Sequence, residues 1–572
     1  AIDDMRDPAV YERFLRPIID RVRQIDPRGG LSIMTNEVEP DDPQLQTWLD
    51  EGVSLEVHTL AHPCPCLQKG DFDAAAATYH DCVDLMAEIP GNEPTAYHMP
   101  CCDSMNSPSP RFWMEIFNRT SRRGNFLRID SSVFHVFNAD DPALPAAITH
   151  DDQGRPRFSK YVGFNSFVNY VENYPDPYVI GRLGWQFPCM APSDWEAQNF
   201  HQPNNPATVI DLQAALDATV IKQGVMNVVF HPHGWIRHQQ MVELVDYAAE
   251  KYGRRVRFVS FHAAAERLSQ FLLAGSALRN AEGNDGGVRL LDLNDDGYLD
   301  VVIGNEERRL TRIWEPETSR WANVDFPCAV TRNVDGKTDT AAKFGQLRLK
   351  GHDSSATPIV VHVGADALKG WRFSEASWVA DPTLVRGLRN FNASGRVVLR
   401  DVDNDGNSEA LVDEGESSRV YRWQADRRAW RALPFGLPAG ARLPADYDDT
   451  GLRLIDVDGD GADDVLFSND WGYGLHLWED NDGGWSRNIR AGRRGEEGAI
   501  RPLAHRGQNL GAWFRDSTLW FQNEQTDALP AVVDRISFDE LLIADRGAEP
   551  ESDDGWISVG TARIEITPEL PI

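Results

Sequence analysis

Positive charge is scarce in this chain. Its 57 lysines and arginines stand against 88 aspartates and glutamates, a formal net charge of −31 over 572 residues. Long-range repulsion of that size argues against nucleic acid or an anionic membrane surface as a general partner. It suits a protein working in salty surroundings, where screening is strong, and leaves room for an anionic substrate in a locally basic cleft. Long apolar runs are missing as well. The longest, around Val225–Phe230 and Ile359–Val363, are strand-sized, far short of the roughly 18 residues a membrane-spanning helix needs. No secretory leader is visible, and the chain opens on what reads as the end of a strand, so residues upstream are expected to be missing from this numbering. Gly-x-Ser-x-Gly is absent, which disfavours a serine esterase. Cysteine is thin and uneven: Cys64, Cys66, Cys82, Cys101, Cys102 and Cys189 lie in the first half, and Cys328 stands alone. Cysteines beside a metal site can be ligands. Disulfides in an exported protein are preferred here, because other donors suffice for a metal. Cys101 and Cys102 are adjacent and are expected to reach different partners.

Those donors are imidazoles and carboxylates. Val57-His58-Thr59-Leu60-Ala61-His62-Pro63 places two imidazoles where a helical turn or tight loop can aim both at one ion. Asp3-Asp4 precedes them, and a carboxylate with two imidazoles is a usual set for a borderline divalent metal that keeps a position open to water.

Two textures divide the chain. From 1 to about 272, helical and strand-like patterns alternate. Helices are expected over Pro8–Gln24, Leu45–Glu51, Phe72–Ile89, Arg111–Arg119, Leu212–Gln223, Met241–Tyr252 and His262–Leu273. Strands are expected at Leu31–Met34, Ser54–Val57, Thr95–His98, Met226–Phe230 and Val256–Ser260. Such alternation implies a parallel sheet with helices on its faces, in barrel or open form, and chemistry at the carboxyl ends of the strands. His58, His62, His98 and His231 all follow strand candidates.

From about 273 to 550 an acidic loop recurs. Its donors are Asp292, Asn294, Asp296 and Asp300; then Asp401, Asp403, Asp405 and Glu409; then Asp456, Asp458, Asp460 and Asp464. Oxygen donors at loop positions 1, 3, 5 and 9 with glycine at 6 wrap calcium. Tryptophans stay in phase with the loops, in pairs seven apart: Trp314/Trp321, Trp371/Trp378, Trp423/Trp430 and Trp478/Trp485. A period of roughly 55 residues built from short strands points to a β-propeller, with the calcium holding blade loops that would otherwise repel themselves. Five units are countable, counting Trp520 as the mark of a fifth and Lys350–Val363 as a unit that has lost its acidic loop. That count does not cap the blades at five. Residues 551–572 read as a closing strand or the start of a further domain.

Taken in order, Asp3-Asp4, His58-Thr59-x-x-His62-Pro63, Tyr97-His98-Met99-Pro100, Ser193-Asp194-Trp195 and Val228-Val229-Phe230-His231 resemble the motifs of the polysaccharide deacetylase (NodB-homology carbohydrate esterase) family over residues 1 to about 270. The repeats resemble FG-GAP/VCBS calcium-binding propellers. The resemblance implies a distorted (β/α) barrel, with Asp3 as base, Asp4, His58 and His62 as metal ligands, zinc first, and His231 as acid. It also implies Asp194 and Trp195 in the wall of the site. The chain departs from the family pattern at Met5, at His98 (where the family carries arginine) and at Cys101-Cys102. His98 would orient the base if protonated, or bind substrate; His233 rivals His231 as acid. Val559–Pro568 resembles the opening strand of neutral ceramidases.

Such a site would activate water on the metal, pass its proton to Asp3 and protonate the leaving group from His231. The expected function is secreted or cell-surface removal of acyl groups, acetyl first, from a polysaccharide. Two alternatives are a catalytically altered glycan- or protein-binding protein and a hydrolase of a non-sugar amide. Aromatic residues Tyr161, Phe164, Phe167, Tyr170, Tyr174, Tyr178, Trp185, Phe187 and Trp195 are mostly expected in the core. A few of them, Trp185 and Trp195 foremost, would line a glycan groove.

Overall fold

The computed structural model describes residues 1–64, 66–101, 109–165, 170–334, 337–349, 355–364, 367–388, 396–413, 417–445 and 448–543. The ceramidase-like stretch and Cys102 lie outside these. The chain divides into two units. The first holds Ala1–Gly275, Ala281–Gly283 and Gln522–Asp534; the second holds Ser276–Asn280, Asn284–Phe521 and the chain from Arg535. The chain therefore returns to the first unit near its end, which a single boundary at residue 272 did not anticipate.

In the first unit, strands β1 (Ile2–Met5), β2 (Ser32–Thr35), β3 (Ser54–Val57), β4 (Ala96–Tyr97) and β5 (Ile129–Asp130) pair in parallel and in sequence order. The residues of β2 and β3 are buried throughout, as a parallel sheet covered on both faces requires. Helix α1 (Pro8–Ile25) starts where Asp7 accepts the N–H groups of Ala9 and Val10, with Pro8 in the first turn, where no N–H is needed. Its inward stripe is Tyr11, Leu15, Ile18, Ile19 and Val22. Helices α2 (Pro43–Asp50) and α3 (Phe72–Glu88) are capped by Asp42 and Asp71, and bury Trp48 and Tyr79 in the same core as Ile33 and Leu55.

The sheet continues through β9 (Gly184–Gln186), and β8 (Tyr178–Ile180) adds antiparallel at the edge. A second sheet holds β6 (Phe134–Val136), β7 (Tyr170–Glu172) and β10 (Cys189–Met190) in the order β10-β6-β7. The expected barrel is not closed among the described residues. Met226–Phe230 forms no strand: it makes single parallel bridges, Asn227 to Cys189 and Phe230 to Ile2, which join the two sheets at points rather than along a ladder. Val256–Ser260 forms no strand either. Met226–Phe230 is largely buried but has no neighbour in register, whereas in Val256–Ser260 Arg257 and Val259 are exposed and only Ser260 is buried.

The second unit is built of antiparallel meanders. Four four-stranded sheets begin at Val288, Ala342, Arg396 and Leu452, and a three-stranded sheet comprises Ala512–Arg515, Thr518–Phe521 and Asp534–Ser537. The phase between acids and tryptophans has a structural cause. Asp300 accepts the backbone N–H of Leu293 at 3.0 Å and that of Trp314 at 2.8 Å. Asp464 does the same to Val457 and Trp478, both at 2.8 Å. The acid ties its own loop to the third strand of its sheet. Cross-strand pairing then brings the rings together at an angle: Trp314 meets Trp321 with centroids 5.0 Å apart and Trp423 meets Trp430 edge to face at 5.6 Å. Trp520 faces Trp513. Trp371 and Trp378 are not such a pair, because the register sets Trp371 against Ala380 and Trp378 against Phe373.

Candidate metal centre

The site gathers at the carboxyl ends of β1, β3 and β4. Neighbouring residues of a strand point to opposite faces, yet Asp3 and Asp4 both serve one site. The register of β1 slips between Ile2 and Met5, and Asp4 takes a left-handed backbone with φ 69°. Thr59 (φ 62°) and His62 (φ 53°) share that uncommon conformation in the loop after β3. Asn36 Nδ2 donates to the carbonyls of His58 and Thr59 at 2.9 and 2.7 Å and fixes the loop. The His58–His62 spacing is thus used by a tight loop, not a helical turn.

Asp4 is the centre of the cluster. His58 Nε2 and His62 Nε2 lie 3.1 and 2.7 Å from its Oδ1, and His233 Nε2 lies 2.9 Å from its Oδ2. One donor atom from each of Asp4, His58 and His62 falls within 4.8 Å of the others. His58 Nδ1 is 2.7 Å from the carbonyl of His98. A carbonyl only accepts, so Nδ1 carries a proton and Nε2 is the nitrogen that faces Asp4: protonated, it donates to the carboxylate, and once it loses that proton its lone pair is free for a metal. That is the arrangement a metal-bound histidine requires. Burial would raise the Asp4 carboxyl, but hydrogen bonds from His233, His58 and His62 hold it well below the usual carboxylate range, so it stays an anion. The residues fit a borderline divalent ion.

Asp3 is 1% exposed. Its backbone is held by Tyr11 Oη, which donates to its carbonyl, and by an N–H to Phe230 O at 3.2 Å. Its Oδ2 lies 3.3 Å from His98 Nε2. Burial drives the His98 imidazolium down to about 4, against the pull of Asp3, so His98 is neutral near pH 7. The protonated form considered from sequence is therefore not the one the fold holds. Ser131 Oγ is 3.0 Å from His98 Nδ1. Nδ1 thus meets Ser131, and Nε2 faces Asp3.

His231 stands opposite. Asp194, at the start of the helix Asp194–His201, holds it twice: Oδ1 to Nδ1 at 2.7 Å and Oδ2 to the backbone N–H at 2.8 Å. Burial favours neutral His231, but the Asp194 carboxylate, with Asp3 and Asp4, lifts it to about 9. Of the wall residues, Trp195 is half-buried one place after Asp194, while Trp185 sits in β9 at 6% exposure, a core position. Tyr161 and Phe187 are core as well. Sequence reasoning passed over three contributors. Tyr11 and Ser131 carry no motif. Trp235, whose ring packs edge-on to His231 with centroids 4.9 Å apart, stands two places after His233.

Disulfide Cys64–Cys101 joins the loop after His62 to the loop after His98. Cys66, Cys82, Cys189 and Cys328 are buried thiols.

The acidic loops of the second unit share one frame. The first acid accepts the N–H groups of positions 5 and 6: Asp292 from Asp296 and Gly297, Asp401 from Asp405 and Gly406, Asp456 from Asp460 and Gly461. Carboxylates of Asp401, Asp403 and Glu409 cluster, as do those of Asp456, Asp458 and Asp460. In the first loop Asn294 Nδ2 donates to Asp296. Arg422 reaches Asp403 and Asp405, and Arg487 reaches Asp458. Glu409 is fully buried, and its Oε1 has no hydrogen-bond partner among the described residues.

No family model matches the chain, and no curated protein does. Solved structures resemble part of it, among them these three. The polysaccharide deacetylase Bc1974 from Bacillus cereus is 12% identical, covering 46% of this chain and 91% of its own, with a TM-score of 0.25. A family 4 carbohydrate esterase from Streptomyces lividans, in complex with acetate, is 9% identical over 45% and 94%, TM-score 0.20. An Agrocybe aegerita lectin that recognises terminal N-acetylglucosamine is 15% identical over 36% and 50%, TM-score 0.25. Likeness this slight carries no argument, and the functional reading rests on the geometry above.

Proposed function

We propose that this chain is an exported metal-dependent carbohydrate esterase that removes acyl groups, acetyl first among them, from a polysaccharide. In this reading the first unit is a NodB-type deacetylase, and the meanders of the second are propeller blades whose acidic loops take calcium. The observation that carries it is the convergence of Asp4, His58 and His62 within 4.8 Å, with Asp3 beside them and His231 poised across the site.

Asp4, His58 and His62 would hold a divalent ion, zinc before others, which would supply Lewis acidity to the acyl carbonyl and to the attacking water. Asp3 accepts the proton of that water on Oδ2, the oxygen that His98 Nε2 faces at 3.3 Å. His231 enters the reaction protonated, as its value of about 9 dictates near neutral pH, and gives the Nε2 proton to the departing oxygen or nitrogen. Asp194 keeps the ring in place through Nδ1 and stabilises its charge. Asp3 receiving and His231 giving keeps the net proton count of the site unchanged over a turnover. His233, bonded to Asp4 and half exposed at the rim, fits a role in holding Asp4 rather than that of acid.

The test is acetate release from acetylated xylan and from chitin oligosaccharides. Chelation is expected to stop release, and added zinc to restore it. Release that continues undiminished in metal-stripped protein would overturn the reading.

A further inference from the structure

In the second unit, Trp471 is 84% exposed, the most exposed large hydrophobic side chain among the described residues. It sits at the tip of the turn between the strands Asp464–Ser468 and Gly472–Leu477. The turn is firmly built. Asn469 Oδ1 accepts the N–H groups of Trp471 and Gly472 at 3.1 and 3.3 Å, and the Asn469 N–H donates to Gly472 O at 3.0 Å. Arg494 donates to Asn469 O from Nε at 3.0 Å and from Nη2 at 2.7 Å. All of these bonds run through the backbone of the turn or the Asn469 side chain. The indole closes nothing, and a polar residue would serve the turn equally well. Leaving so large an apolar side chain in water forgoes the stabilisation that burial would give.

The residue before Trp471 in the turn is charged and paired. Asp470 accepts from the His505 imidazole and, at 2.8 Å, from the Arg506 backbone N–H, and His505 and Arg506 are themselves exposed. A single rigid apolar plate beside a carboxylate–imidazole pair is a poor protein interface, which buries about 800 Å² per partner around a continuous apolar centre. It is a good match for a ligand that is apolar on its face and hydroxylated at its edge. We propose that Trp471 is a stacking platform for a pyranose ring of a glycan polymer, with Asp470 and His505 bonding the ring's hydroxyls. The inference extends the hydrolase reading by giving the second unit a grip on polymeric substrate, but it has its own test.

The full chain is applied to a printed array of xylan, chitin, cellulose, mannan, pectin and peptidoglycan oligosaccharides, and the best hit is titrated calorimetrically. Trp471→Ala is expected to weaken that binding by about tenfold or more, and Trp471→Phe to retain part of it. Hydrolysis of p-nitrophenyl acetate, a substrate too small to reach a platform and a catalytic site together, is expected to be unchanged in both. Unchanged circular dichroism melting keeps the comparison valid. Binding to no glycan, or equal binding by Trp471→Ala, overturns the proposal. So does a change of Trp471→Ala in oligomeric mass by light scattering without loss of glycan affinity, which would make the indole a protein contact. Glycan binding lost in Trp471→Ala, in a protein that hydrolyses no ester at all, upholds this inference while sinking the hydrolase reading.

Discussion

His231 Nε2 lies 3.8 Å from Oδ2 of Asp3 and 3.9 Å from Oδ2 of Asp4. Two successive strand residues thus present their carboxylates to a single imidazole, which the slipped register of β1 and the left-handed Asp4 make possible. Yet their surroundings differ. Asp4 meets three imidazole nitrogens, whereas Asp3 is sealed beneath His98.

The two carboxylates should therefore separate on substitution. Asp4→Asn is expected to lose bound zinc, read by plasma mass spectrometry, together with acetate release. Asp3→Asn should keep its zinc and still lose at least about a hundredfold in kcat, the usual range for a proton-transfer residue. Equal zinc loss in both would show that the roles are not divided this way.

Asp194→Asn removes the charge that holds His231 up at about 9. The imidazolium then loses its proton at lower pH, so the alkaline limb of the kcat profile should move acidward, and kcat at pH 8 should fall by about 10²-fold or more. An alkaline limb that stays in place would assign it to another group.

Asp464 accepts two backbone N–H groups, and removing it strands both inside the second unit. Asp464→Ala should cost about 2–4 kcal/mol by denaturant melting. The loss should appear at pH 5 with or without calcium, because it arises from the hydrogen bonds and not from an ion.

Crowding in the acidic loops gives a pH dependence of definite sign. Burial and neighbouring acids raise Asp300 and Asp401 to about 6, Asp464 to about 7 and Glu409 to about 9. A carboxyl raised on folding favours the fold while it keeps its proton. In chelator, this stability is present below the unfolded value of about 4 and is lost as pH climbs through 6 to 9. Melting temperature without divalent ions should fall from pH 5 to pH 9, and calcium should flatten the slope. A melt indifferent to both pH and calcium would count against cation loops.

Cys64 and Cys101 are 37 residues apart, and closing such a loop contributes about 3–4 kcal/mol in the chain-entropy account. Cys64→Ser should lower the melting temperature of the first unit and also weaken zinc retention in competition with a chelator, because the bond anchors the segment that follows His62.

How legible was all this in the sequence? The elements that rely on local rules came through. The α1, α2 and α3 helices begin at Asp-Pro, Asp-Pro and Asp-Phe steps with capping carboxylates, and Ser54–Val57 is the strand expected. Pairing was less legible, because it depends on partners far along the chain. Met226–Phe230 and Val256–Ser260 are apolar enough for strands but find no ladder, and the closed barrel expected from them does not form among the described residues. The tryptophan phase was visible as a pattern, while its cause, an acid bonding a backbone N–H fourteen residues on, was not. At the candidate metal centre Asp4, His58 and His62 come together. Ser131 and Tyr11 escaped notice because a hydroxyl that bonds an imidazole or a carbonyl leaves no spacing to read, and neutral His98 follows from burial that only the folded chain reveals.

Arg111 is almost wholly buried, and Glu524 bonds it at 3.0 Å from more than four hundred residues downstream, in the stretch that returns to the first unit. Anyone wishing to prepare the first unit alone would find no single place to cut. A fragment stopped near residue 275 would leave a guanidinium sealed in the interior without this carboxylate, so expression trials should either carry Gln522–Asp534 along through a short linker or keep the chain whole.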